Sequence, residues 1–125
     1  MLTPDFTDEF AANWTAAWNA HDLEAILAHY REDVQFNSPF AVTLEGVPDG
    51  TLRGLAELRR YFANGLRAFP ELHFEPIAAF PGVSSIALHY RSVAGLDAIE
   101  VVELDAHQRV RRTTAHYAPT HPTNR

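Results

Sequence analysis

Near the start of the chain an apolar residue recurs every fourth position: Phe6, Phe10, Trp14 and Trp18. That spacing lays all four on one stripe of a helix over 4–20, with Pro4 in its opening turn. A shorter run follows, Leu23, Ile26, Leu27 and Tyr30, and reads as a second helix. Asp22 stands directly before it, where a carboxylate can accept from the free amides of the first turn. The period then drops to two: Val34 and Phe36 point inward from a strand over 33–37. The stretch "GVPDGTLRG", Gly46 to Gly54, is rich in turn formers. Helical spacing returns with Leu55, Leu58, Phe62, Leu66 and Phe69, and Pro70 stops this third helix.

Beyond Pro70 the pattern is all strand. Residues 72–80 form one, in which Pro76 marks an edge or a bulge. After the turn at "PGVS", Ile86, Leu88 and Tyr90 alternate along the next. A turn near Ala94-Gly95 leads into 97–104, where Ala98, Glu100, Val102 and Leu104 share a face; "DAHQR" makes the last hairpin, and 109–117 closes the sheet. Three helices in the N-terminal half followed by a curved antiparallel sheet make an α+β fold with segregated layers. Helices wrapped over one concave sheet face leave a cavity between the layers.

Length and composition narrow the picture. A chain of 125 residues, 46% hydrophobic, makes one domain with one core. The tail "APTHPTNR" has two prolines and no periodicity, so residues 119–125 are expected to fray. No apolar run approaches the ~20 residues that span a bilayer. The acidic start "MLTPDFTDEF" lacks a basic leader segment, so a cytoplasmic protein with no membrane partner is expected. There is no cysteine, which removes disulfides and thiolate chemistry, and no lysine, which removes side-chain Schiff bases. A formal charge of −6 repels polyanions, so no nucleic-acid partner is expected. The seven histidines form neither H-E-x-x-H nor a helix-face ligand pair, so neither metal nor other cofactor is expected. His89 alone has a strand position from which it could enter a pocket.

Three polar positions invite a chemical reading. His21-Asp22 is either a general base with its orienter or the joint between two helices, with Asp22 as cap. Ser38, before Pro39 at the end of a strand, is either a donor at the pocket end or a serine satisfying nearby backbone. Glu100 is the most informative. Facing inward, its carboxyl sits among apolar groups with a raised pKa and can act as acid or base. Alternatively it pairs with Arg91 or Arg111, or the strand has the opposite parity, with Ile99 and Val101 inward, since a slip of one residue reverses every side chain.

The stretches "WNAHDLEAILAHYREDVQFNSPF", "GLAELRRYFANGLRAFPELHFE", "LHYRS" and "ELDAHQRVRRTTAHY" resemble the nuclear transport factor 2-like superfamily, in its SnoaL-like domain subgroup. The resemblance runs over about residues 8–118. It implies a single SnoaL-like domain, a cone-shaped, cystatin-like α+β roll with an apolar pocket, and homodimers packed through the sheet. The superfold carries isomerases, cyclases, dehydratases, epoxide hydrolases and non-enzymes. Set against ketosteroid isomerase, a distant relative, Ser38 stands where that enzyme has its general-base Asp. Trp14 and Phe62 stand where it has tyrosines, and Glu100 where it has a protonated Asp. One acid of four polar positions survives, so ketosteroid isomerisation itself is not expected.

The expected site is therefore Glu100 as acid/base, with Trp14, Phe36, Ser38, Phe62, Tyr90 and Tyr117 around a small apolar organic ligand. Tyr61 is a further aromatic candidate, and Trp18 reads as core. The expected chemistry is cofactor-free proton transfer: isomerisation, cyclisation or dehydration. The competing expectation is a non-catalytic ligand-binding or dimerisation module. Ile99 and Val101, opposite in parity to Ala98 and Val102, suggest that a second copy covers the outer sheet face.

Overall fold

In the computed structural model, which describes residues 1–119, helix α1 spans Pro4–Asn19. Thr3 caps it, its hydroxyl oxygen accepting from the Phe6 amide at 3.1 Å, and Pro4 supplies the fixed φ of the first turn. The helix closes through a pair of reversed hydrogen bonds. Asp22 N–H donates to the Ala17 carbonyl and His21 N–H to that of Trp18. This closure requires a left-handed residue, usually glycine, and here it is His21, with φ +55°. The His21 ring is tied down at 2.8 Å between Nε2 and the Leu72 carbonyl, so Nε2 carries the hydrogen.

Asp22 then caps α2 (Leu23–Leu27) by accepting from Ala25 N–H at 3.1 Å. The His-Asp pair is thus a helix joint. Asp22→Ala should lower stability by about 1 kcal/mol; an unchanged urea midpoint would show that the cap contributes nothing.

Strand β1 runs Tyr30–Asn37, three residues longer at its start than the alternation of Val34 and Phe36 suggested. Tyr30, expected on the second helix, belongs to the sheet because its backbone pairs with Val110 and the neighbouring His29 carbonyl accepts from Val110 N–H. An unforeseen short helix, α3 (Pro39–Glu45), follows, and Gly46 ends it at φ +68°. Strand β2 (Thr51–Arg53) lies within the turn-rich segment, and α4 (Leu55–Ala68) follows it.

The remaining strands are β3 (Glu75–Pro81), β4 (Ser85–Arg91), β5 (Asp97–Leu104) and β6 (Val110–Tyr117). Strand β3 starts at Glu75 rather than 72, because Leu72 and Phe74 turn into the core first. It is an edge strand, and its register shifts between Pro76 and Ala78, where proline cannot donate to the ladder. Of the expected tail, residues 120–125 lie outside the described residues.

The six strands run in the order β2-β1-β6-β5-β4-β3, as a curved sheet that does not close on itself. All neighbours are antiparallel except β1 and β6, which are parallel. The hairpin fixes the direction of β6 against β5, and the helices and strands between β1 and β6 leave it parallel to β1. Helices α1, α2 and α4 bury Trp14, Trp18, Ile26, Leu58 and Phe62 together with Val34, Leu88, Tyr90, Ala98 and Val102 of the sheet. In β5, Ala98, Glu100, Val102 and Leu104 are buried while Ile99 is 46% exposed, which settles the parity. Among the described residues no helix is long and apolar enough to cross a membrane.

Candidate functional site

Between the helices and the sheet lies a cavity of about 350 Å³. Trp14 and Trp18 reach it from α1, Phe36 from β1, Phe62 from α4, and Phe74 from the segment before β3. Their rings support one another: Trp18 meets Phe62 edge-on at 4.8 Å, Phe36 meets Phe62 at 5.3 Å, and Trp14 stacks on Phe74 at 5.6 Å. The Trp14 indole N–H is spent inside the wall, donating to the Tyr30 hydroxyl at 3.3 Å. Trp14, Trp18, Phe36 and Phe62 therefore offer rings to the cavity and hold the core at once.

Glu100 lines this cavity from β5 and is 4% exposed. Its cross-strand neighbours are Leu88 and Ala115, so apolar side chains flank the carboxyl on both sides. Tyr90 O–H donates to Oε1 at 2.9 Å. No protein donor meets Oε2 among the described residues, leaving that oxygen for the cavity. The arginines considered as partners are engaged elsewhere: Arg91 lies 3.5 Å from Asp97, and Arg111 is 2.8 Å from Glu103. Burial in low-dielectric surroundings lifts the Glu100 pKa from the ordinary 4.5 to about 7, with the Tyr90 hydrogen bond pulling the other way.

Tyrosines ring the acid. Tyr90 and Tyr117 line the cavity from β4 and β6, and Tyr61 from α4. Burial raises Tyr61 to about 12 and Tyr90 and Tyr117 above their ordinary value, and the negative charge of Glu100 adds to each shift. All three are thus uncharged donors at neutral pH. Ser38, 1% exposed, does not line the cavity. Its oxygen accepts from Phe40 N–H at 3.2 Å, capping α3, and its contacts with Tyr61 and Tyr117 draw both phenols partly back down. Direct ligand contact, expected at Ser38, gives way to a place behind the wall, because the unforeseen helix needs its oxygen.

Helix α3 brings residues that the pattern did not flag: Phe40, Leu44 and Glu45 at the cavity rim, with Asn64 of α4 at 3.5 Å from Glu45. Ser92 and Val93 border the cavity from the turn after β4. His89 is absent from the lining and sits 3.5 Å from Asp97. Among the described residues no three His, Asp or Glu side chains come together in a way that could hold a metal ion.

An α+β cone of this topology, with a pocket between helices and sheet, is a member of the nuclear transport factor 2-like class. Within that class the chain belongs to the SnoaL-like domain family, whose model matches residues 11–118. It is similar to a SnoaL-like protein of unknown function from Burkholderia thailandensis, with 44% identity, 94% of this chain and 98% of that one covered, and a TM-score of 0.91. Two more distant structures share the fold. SalBIII, an epoxide hydrolase/cyclase-like enzyme in pyran ring formation in polyether salinomycin, has 20% identity over 96% of each chain and a TM-score of 0.77. A candidate ketosteroid isomerase from Kribbella flavida has 17% identity over 97% of this chain and 84% of its own, with a TM-score of 0.74. No curated protein matches the chain.

Proposed function

We propose that this SnoaL-like domain binds a small, largely apolar organic molecule and moves a proton on it without a cofactor, in an isomerisation, cyclisation or dehydration. The observation that carries this reading is Glu100: a carboxyl raised to about 7, with one oxygen unclaimed, inside an aromatic cavity. At neutral pH it populates both protonation states, so it can take a proton and return it. Tyr117 supplies an uncharged donor where negative charge develops on a substrate oxygen, while the Tyr90 O–H stays on Glu100 Oε1. The cyclase-like and isomerase-like relatives lend support by analogy of fold alone.

Glu100→Gln keeps the shape and removes the titrating proton. In a screen for turnover of small ketones, enones and epoxides, wild-type activity should fall by about 10²–10⁴-fold in this variant. Undiminished turnover in Glu100→Gln would sink the acid/base role. A wild-type protein that binds compounds and turns none over would make the domain a binding module instead.

The same reading makes the protein a cytoplasmic homodimer, associated through the outer sheet face. There Phe80, Ala87, Val101 and Thr114 line up across four strands, and Phe80 and Ile99 are exposed. Sedimentation at micromolar concentration should show a dimer that Val101→Glu converts to monomer. Wild-type protein sedimenting only as monomer would count against the interface.

A further inference from the structure

The charges around the cavity are one-sided. Among the described residues, Glu100 at the floor and Glu45 at the rim are its charged residues, and no arginine lines it. Several surface arginines pair with acids away from the cavity: Arg59 with Glu24, Arg91 with Asp97, Arg111 and Arg112 with Glu103, Arg31 with Asp33; Arg67 comes nearest the cavity, donating to Asn64 Oδ1 behind the rim. The chain as a whole carries −6. An anionic ligand would therefore meet repulsion on approach and an uncompensated acid inside. A neutral ligand would leave Glu100 Oε2 without a counter-charge, so the acid would have to hold its proton or remain a buried, unpaired anion. A cation meets two carboxylates and a wall of aromatic rings, each of which attracts positive charge.

We infer that the cavity selects an organic cation: an apolar skeleton carrying a protonated amine or quaternary ammonium, seated between Glu100 Oε2 and the rings of Trp14, Phe62 and Tyr90. This rests on the cavity being the ligand site, as proposed above, and not on turnover. Inside a catalytic cycle such a ligand would keep Glu100 ionised and make it a base at the start of the reaction. The titratable groups facing Glu100 are Tyr90 of β4, Tyr117 of β6, Tyr61 of α4, Tyr30 of β1 and Glu45 of α3. The four phenols are raised above their ordinary value and stay uncharged from about pH 5 to 8, so over that range the pH dependence of binding follows the acids, Glu100 foremost.

Three probes of nearly equal shape isolate the charge: benzyltrimethylammonium, neopentylbenzene and phenylmethanesulfonate. The chain has two tryptophans, Trp14 and Trp18, and both line the cavity, so intrinsic fluorescence reports its filling, with calorimetry as a check. At pH 8 the ammonium should bind at least about tenfold more tightly than the hydrocarbon, and the sulfonate should not bind. The preference should shrink as pH falls through about 7, as Glu100 takes up its proton, with hydrocarbon affinity rising as the unpaired anion disappears. Glu100→Gln should flatten the pH dependence, and the wild-type pH series gives the same information should that variant not fold. Hydrocarbon binding as tight as ammonium binding at pH 8, or sulfonate binding tighter than either, overturns the charge selectivity and leaves the cavity as a ligand site. Failure of all three probes to bind overturns both.

Discussion

Glu100→Gln should make the protein more stable, by about 3 kcal/mol at pH 8 and by little at pH 4, when wild type and variant are unfolded in urea across the pH range. The folded protein holds the Glu100 proton more tightly than the unfolded chain does, since burial lifts the pKa from 4.5 to about 7. Stability from this group is complete below about 4.5 and is withdrawn as pH rises to about 7, a gap of roughly 2.5 units at ~1.4 kcal/mol per unit. The amide that replaces the carboxyl keeps an acceptor for Tyr90 O–H and has no proton to lose. Every other residue is the same in both proteins, so the difference between the curves belongs to Glu100. Parallel curves would mean that the carboxyl is solvated and the cavity wet. A carboxyl that weakens the fold at neutral pH does not serve folding there, and the proposed chemistry gives it another use.

Trp14→Ala should cost about 4 kcal/mol, a large share of the stability of an ordinary domain. The ring is 1% exposed and packs at 5.1 Å against Tyr90, 5.6 Å against Phe74 and 6.3 Å against Trp18. Its removal also takes the donor from the Tyr30 hydroxyl, on a residue with 1% exposure. Trp14→Phe separates the two effects: it keeps most of the packing and loses the hydrogen bond, for about 1–2 kcal/mol. Equal urea midpoints for Trp14→Ala and Trp14→Phe would show that the ring contributes little packing.

The long elements were legible because their burial is one-sided and their period clean. The stripe of Phe6, Phe10, Trp14 and Trp18 placed α1 to within a residue at each end, and the alternation of Ala98, Glu100, Val102 and Leu104 gave the bounds of β5. Its parity was not legible, since Ile99 and Val101 are apolar too, and only the packing of helices over one face decides which set is inside. Helix α3 escaped although its punctuation was present: Ser38 as cap, Pro39 in the first turn, Gly46 at the end. Seven residues make too short a helix to stand alone, and Val42 and Leu44 are exposed, so no stripe betrays it. Glu45 was missed with it. Tyr30 fits a helical spacing after Ile26 and Leu27, yet pairing with Val110, far along the chain, overrides the local pattern.

The place of β6 has a bearing on biosynthesis. Strand β1 is made early, but its inner neighbour is β6, the last of these six strands to leave the ribosome. Until residues 110–117 emerge, β1 and its partner β2 have no bond to the rest of the sheet, and Val34 and Phe36 can be covered only from the helix side. Between the emergence of β5 and that of β6 the nascent chain thus carries two further open edges, on β1 and β5, and a half-roofed cavity. Sheet assembly waits for residues 110–117, and a chain cut short before Val110 would lose the wedge that joins the two halves of the sheet, together with one wall of the site.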